Sequence, residues 1–296
     1  MPPEAASGDL HCFLYTVRMP SYVVHAINIG SFLLGEADKV ITIFTAEHGL
    51  LKAVAKGARK PNTKMSGRSD VLSINKLFLA HGKTFEIISQ AECIETFPEF
   101  RADLTRMSYA LYYAELSQIF GSAFSEETQS YYDYLLGALQ LQARSKADPA
   151  WLCLEFEMGL IDRLGYRPEL TYCVICRDVL GDYNVSLFNR DSGGIICQKC
   201  AVQDRQMAAR EGSPDSEFTP RSAVREGAHI TPLVWKNLVL AADRRVSENP
   251  DSDISMMKLP LQQSVDAARR LVQGYIEYRA GRRLKSLNLL EQMKSR

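Results

Sequence analysis

No stretch of this sequence stays apolar and uncharged for the roughly 18–20 residues that a membrane-spanning helix requires. The N-terminal segment MPPEAASGDLHCFLYTVRMP lacks the basic start and apolar core of a secretory leader, so a cytoplasmic chain is expected. Net charge is also missing: 35 Lys and Arg balance 35 Asp and Glu. No global basicity therefore announces a polyanionic partner, and any such reading must rest on where the charges sit. The signatures GxxxxGK[ST], GxGxxG, GxSxG and HExxH are absent, which removes the sequence grounds for nucleotide hydrolysis, dinucleotide binding, serine hydrolysis and zinc proteolysis. The five histidines (His11, His25, His48, His81 and His229) form no catalytic pattern, so no catalytic residue is assigned and a non-enzymatic protein is expected.

What is present begins with cysteine. There are seven, an odd number that argues against a secreted disulfide framework. Four fall into two CxxC pairs, Cys173-Val-Ile-Cys176 and Cys197-Gln-Lys-Cys200, with twenty residues between. Four soft ligands at this spacing suit one tetrahedral Zn²⁺ per chain. The segments around Val185–Asn189 and Gly194–Ile196 flank Asp191-Ser-Gly-Gly and read as a two-stranded ribbon that brings the two knuckles together. Four thiolates leave no open coordination position, so the expected metal is structural. Free dithiols, reversible disulfides and a thiol oxidoreductase are the other readings of the same residues.

Charge is balanced globally but segregated locally. Between Gly49 and Ser69 lie Lys52, Lys56, Arg59, Lys60, Lys64 and Arg68, with no acid. From Glu86 to Asp162 thirteen acids face four basic residues, a local charge of −9. From Arg269 to Arg296 eight basic residues face two acids, a local charge of +6. Lys52 and Lys56 share parity and so one strand face, and Gly57–Arg68 reads as a flexible basic loop; it is either a phosphate-binding surface or a solvated loop. The cluster Arg269, Arg270, Arg279, Arg282, Arg283 and Lys285 exceeds what a helix C-terminus needs. It reads as a second basic patch for DNA or an acidic peptide tail, or as a solvated face. Phe32, Phe44, Phe78 and Phe85 are expected mainly in a core, with base stacking as the alternative.

Five short β-rich segments (Tyr22–Leu34, Val40–Phe44, Leu50–Ala55, Val71–Ala80 and Phe85–Cys93) suggest a small barrel or sandwich; five is the strand number of an OB-fold. Helical spacing follows over Arg101–Phe120, Tyr131–Leu141 and Trp151–Leu164, the last with Asp148-Pro149 at its start and Gly165 at its end. Gln203–His229 is polar and reads as a loop. Helices are expected again over Thr231–Val246 and Leu261–Ala280.

The run from Gly35 to Lys60, GEADKVITIFTAEHGLLKAVAKGARK, resembles the N-terminal signature of the bacterial recombination mediator RecO family: a GEsD turn, an iTxFTxexG strand and turn, and a basic loop. Tyr278–Leu287 is similar to that family's C-terminal end, and the cysteine quartet matches its zinc-containing version. The resemblance implies an α+β chain: a five-stranded OB-fold barrel, then an α-helical domain with an inserted four-cysteine zinc-ribbon-like module. The implied boundaries are an N-terminal extension at 1–21, the barrel at 22–96 and the helical domain at 97–296, with the zinc module at 169–202. It further implies binding of single- and double-stranded DNA, annealing of complementary strands, and loading of recombinase onto strands coated by single-strand-binding protein. The implied partners are a RecR-type protein and that coating protein's acidic tail, in a nucleoid-associated cytoplasmic setting. Carried over by position, the DNA contacts would be Lys39, Lys52, Lys56, Arg59, Lys60, Lys64 and Arg68. A zinc-ribbon protein acting on RNA, or an adaptor without annealing activity, is the alternative.

Overall fold

The computed structural model describes residues 21–60, 63–211, 227–243 and 262–286. The N-terminal extension up to residue 20, the middle of the Gln203–His229 loop and the chain beyond residue 286 lie outside the described residues. Five strands come first: β1 (Ser21–Leu34), β2 (Asp38–Thr45), β3 (Gly49–Ala55), β4 (Ile74–Ala80) and β5 (Glu86–Glu95). They close into a barrel in the order β1-β2-β3-β5-β4. The meander β1-β2-β3 is antiparallel, and the closing β3–β5 contact is parallel, pairing Ala53 with Glu86 and Val54 with Ile87. This is an OB-like barrel.

The barrel closes because alternate residues of each strand point inward and are small or branched. Val24, Ala26, Ile41, Ile43, Ala53, Ala55, Leu77, Leu79, Ile88 and Ala91 form its interior. Ala58 and the half-buried Met65 pack onto the same cluster, which places the short helix α1 (Lys64–Arg68) against the barrel. The expected flexible loop at Gly57–Arg68 is thus partly helical. Strand β4 also starts later than the sequence suggests, at Ile74 rather than Val71. The reason is Leu72, whose φ of +71° ends the extended backbone there. Buried Asn28 holds this turn, its Nδ2 donating to the Arg68 and Asp70 carbonyls and to Ser73 Oγ at 2.8–2.9 Å.

The helical half contains α2 (Glu99–Ala102), α3 (Leu104–Phe120), α4 (Thr128–Arg144), α5 (Pro149–Arg163), α6 (Gln198–Glu211), α7 (Pro232–Asp243) and α8 (Gln262–Ala280). Asp148 caps α5 as its sequence suggests, accepting from the Ala150 N–H at 2.8 Å. Helix α6 occupies the first part of the expected Gln203–His229 loop, because the second CxxC knuckle runs straight into it. Phe44 is the outward residue that joins barrel to helices. Its ring meets Tyr131 at 4.9 Å, and Tyr131 stacks on Phe124 at 4.0 Å. Two buried-side bonds reinforce the joint: Gln118 Nε2 donates to the Ile29 carbonyl and Thr128 Oγ1 to the Ala46 carbonyl, both at 2.7 Å. A β-bulge between Asn28 and Gly30 frees that Ile29 carbonyl from the ladder. Among the described residues no helix is long and apolar enough to cross a membrane.

Candidate metal centre and nucleic-acid interface

Strands β6 (Val185–Asn189) and β7 (Gly194–Cys197) form the expected antiparallel ribbon around the Arg190–Gly193 turn. A third, two-residue strand β8 (Ala228–His229) pairs with β6. The ribbon carries Cys197 to the first knuckle, where Arg177 adopts a left-handed φ of +62° so that its N–H reaches the Cys173 carbonyl at 2.9 Å. Gly194 lets the two pieces approach. A Cβ there would sit 2.7 Å from both the Glu169 carbonyl oxygen and Val174 Cγ1.

The thiols of Cys173, Cys176, Cys197 and Cys200 all lie within 4.8 Å of one another, and Cys176 Sγ is 3.7 Å from Cys197 Sγ. A tetrahedral Zn²⁺ with sulfur ligands at about 2.3 Å separates its sulfurs by roughly 3.8 Å, so the quartet fits such an ion. The electrostatics agree. Burial raises the Cys173 thiol, but the N–H groups of Cys176, Cys197 and Ile175 outweigh it and bring the pKa to about 7. Burial, and then the neighbouring thiols, hold Cys200 far above the ordinary value. Four sulfurs this close can all ionise only around a cation. The quartet can hold a metal; three of its members are buried, and Cys176 is half-buried.

Most of the basic residues, Lys56 to Arg68, follow β3 into the segment whose Ala58 and Met65 pack against one end of the barrel interior, while Lys52 lies on the outer face of β3. Asp38, the first residue of β2 after the β1–β2 turn, accepts from the Gly57 N–H at 2.8 Å. Arg59 reaches back to the same turn, its N–H on the Ala37 carbonyl and Nη1 on the Gly35 carbonyl. The GEAD turn is therefore the anchor of the basic segment. Lys52, Lys56, Arg59, Lys60 and Lys64 are exposed, and Arg68 is half-buried. Lys39 is more constrained, with Nζ 3.4 Å from Ser69 Oγ and 3.9 Å from Asp70. On the outer sheet face, Thr42 pairs with Lys52 and Val40 with both Phe32 and Val54. Phe32 is 46% exposed and meets Phe85 edge-on at 6.3 Å. Of the four phenylalanines expected mainly in the core, only Phe44 is buried there; Phe32 stands out and Phe78 and Phe85 are half-buried.

The second basic cluster is not one surface. Arg269 is buried, its guanidinium 4.6 Å over the Tyr109 ring, with Nε 3.6 Å from Glu157. It faces α5 and α3 because α8 turns its apolar stripe, which includes position 269, into the helical core. Arg279 is half-buried among Tyr166, Tyr275 and Tyr278. Arg270, Arg282, Arg283 and Lys285 remain exposed. The charge count along the sequence also passed over Arg101, an exposed cation at the barrel–helix junction, because it lies inside the acidic stretch.

Two family models match this chain in succession: "Recombination protein O N terminal" over residues 19–97 and "Recombination protein O C terminal" over residues 101–210. The chain belongs to the RecO family. The boundary between the two matches falls where the barrel ends and α2 begins. Relatives named "DNA repair protein RecO" agree. That of Symbiobacterium thermophilum is 31% identical over 281 residues, covering 94% of this chain and 99% of its own. That of Desulforamulus reducens is 34% identical over 189 residues, 64% of this chain and 72% of its own. That of Nostoc punctiforme is 27% identical over 290 residues, 92% and 95%. The RecO family acts in recombination repair of DNA, and its members are not enzymes.

Proposed function

We propose that this RecO-family chain is a recombination mediator that binds single- and double-stranded DNA through the basic end of its barrel. Complementary strands are annealed there, and recombinase is helped onto DNA coated by single-strand-binding protein. The observation that carries the reading is the acid-free segment from β3 through α1, with Lys52, Lys56, Arg59, Lys60 and Lys64 exposed and Arg68 half-buried, and the exposed Phe32 on the same outer sheet face as Lys52. Cations neutralise phosphates by counterion release, and an aromatic beside them offers a base a stacking surface. Lys39 contributes from the barrel mouth. Arg270, Arg282, Arg283 and Lys285 supply a second surface, for a second strand or for the coating protein's acidic tail; Arg269 does not belong to it. A RecR-type protein is the expected co-mediator, in the cytoplasm at the nucleoid. One structural Zn²⁺ on Cys173, Cys176, Cys197 and Cys200 fastens the ribbon module, about residues 169–202, into the helical domain.

Salt-dependent binding of a fluorescent single-stranded oligonucleotide tests this. If four to five phosphates are neutralised, log K falls against log salt with a slope of about −3. Lys56→Ala/Arg59→Ala/Lys60→Ala removes three cations and brings the slope near −1, at about −0.7 per phosphate. An unchanged slope moves the site away from the barrel.

A further inference from the structure

Where the barrel meets the helices, a cleft of about 390 Å³ opens between the Lys64–Ser73 segment, the end of β5 and the start of the helical half. Its inner wall is apolar, with Leu72, Phe97 and Met107, and its mouth carries Lys64, Arg68 and Arg101. We propose that this cleft receives one unstacked nucleobase of a bound single strand, with the flanking phosphates on those three cations. This rests on the DNA-binding reading above and extends it, since it gives the family's barrel surface a pocket that tells a single strand from a duplex.

Four observations support it. The volume is in the range of sites that take one small ligand, roughly 300–1,000 Å³, and too small for a stacked pair of strands. The charge is complementary: among the described residues none of Lys64, Arg68 and Arg101 has a carboxylate partner, while the one acid in the lining, Asp70, lies 3.9 Å from Lys39. The cleft is continuous with the basic end of the barrel, because Lys64 and Arg68 belong to both. Finally, its wall is held in a costly conformation. Leu72 has φ +71°, and the Leu72 N–H bonds to the Asn28 carbonyl at 2.8 Å while the Asn28 side chain ties down the carbonyls of Arg68 and Asp70. Strain of this kind persists only where surrounding structure enforces it, and it is frequent at ligand clamps. A base entering the cleft would exchange water for the apolar surfaces of Phe97 and Met107, with the exposed Thr96 as a polar partner in the lining. Bases in a duplex are stacked and paired, so they stay outside.

The test fills the cleft without touching the rest of the basic end. Cys93 is exposed and lines the wall, so Cys93→Trp places an indole in the opening. Affinities of the full-length wild type and this variant are measured for oligothymidine, for a fully abasic strand of the same length, and for a duplex of equal length. The expected result is a loss of about tenfold for the intact single strand in Cys93→Trp, the size of one base contact. Duplex affinity stays unchanged. The abasic strand binds both proteins alike, so abasic substitution weakens the wild type more than the variant. Equal binding of the intact strand by both proteins overturns the cleft while leaving DNA binding on the barrel in place. Equal losses on duplex and single strand also overturn it, because they report phosphate contact only. No binding of any DNA by the wild type overturns both readings. A Cys93→Trp protein that binds all DNA normally but no longer binds an acidic, aromatic peptide assigns the cleft to a protein partner and refutes the proposal. If thermal melting shows Cys93→Trp to be misfolded, Arg101→Gln takes its place. It is expected to lose severalfold affinity for single strands more than for duplex, and equal losses refute the cleft.

Discussion

Replacing Arg269 by alanine should unfold this protein far more readily than removing any other arginine of its C-terminal cluster. The guanidinium and the Glu157 carboxylate are buried side chains at 3% and 0% exposure, 3.6 Å apart. Arg269 Nη1 also donates to the Tyr109 hydroxyl at 3.0 Å. Burial raises the Glu157 carboxyl, and the adjacent guanidinium pulls it back towards the ionised form. Arg269→Ala thus leaves an uncompensated buried acid, an unpaired tyrosine hydroxyl and a cavity at once. Breaking a buried pair from one side costs about 3–5 kcal/mol. At about 2–4 °C per kcal/mol for a structure of this size, Tm should fall by roughly 6–20 °C. Arg283→Ala, at an exposed position nearby, should change stability by no more than about 0.5 kcal/mol. The double variant Arg269→Met/Glu157→Leu should recover most of the loss, because replacing a buried ion pair by apolar groups of similar size is near neutral. Thermal melts of the four proteins at neutral pH read this directly. An Arg269→Ala protein that melts within about 2–3 °C of wild type, less than one such kcal/mol step, or a double variant worse than the single, would refute the burial argument. If Arg269→Ala instead kept full stability and lost DNA affinity, the residue would belong to the surface that the charge pattern suggested.

Cys176→Ser, or chelation of the wild type, should release close to one zinc per chain by elemental analysis. Hydrogen-exchange protection should then drop across β6, β7 and the helices packed on them but persist inside the barrel, whose core is a separate cluster. Gly194→Ala drives a methyl into the Glu169 carbonyl and Val174, and should cost about 1–3 kcal/mol in a denaturant titration; a neutral result would mean that the ribbon can shift away. Burial raises Glu115, but bonds from the Ser286 hydroxyl and the Ser286 and Lys285 N–H groups more than offset it and hold its carboxyl below the ordinary 4.5. The stability this adds is present above that value and lost as pH falls through the depressed one. Acidification, or Glu115→Gln at neutral pH, should therefore expose the Lys285 and Ser286 amides to exchange; undiminished protection would count against the contact.

How much of this molecule can be read along the chain depends on the range of the forces involved. The five barrel strands were legible because runs rich in β-branched and aromatic residues between turn residues are a local feature of composition. Helix α5 was legible because its cap, its proline and its terminal glycine are adjacent in the chain. The cysteine quartet was legible because metal-ligand spacing is itself a local pattern. Boundaries failed where a distant residue intervened. Asn28 on β1 holds the turn at Leu72, so β4 starts at Ile74 rather than Val71, and the second knuckle seeds α6 into a stretch whose composition reads as loop. The aromatic assignments failed for the same reason: parity says that Phe44 and Phe32 point out of the barrel, but only the docked helices decide that one is covered and the other is not.

By itself the sequence determined the five strands, the helices α3, α4, α5, α7 and α8, the four thiols and the basic residues of the Gly49–Arg68 segment. These follow from periodicity, spacing and composition, which act over a few residues. Only the tertiary structure decided what the charges do. It took Arg269 out of an apparent basic patch and into the helical core, since the side of α8 that faces α5 is fixed by packing rather than by charge. It brought Arg101, hidden in an acidic stretch, to the mouth of a cleft beside Lys64 and Arg68. Charges far apart in the sequence become one surface only when the chain between them folds back.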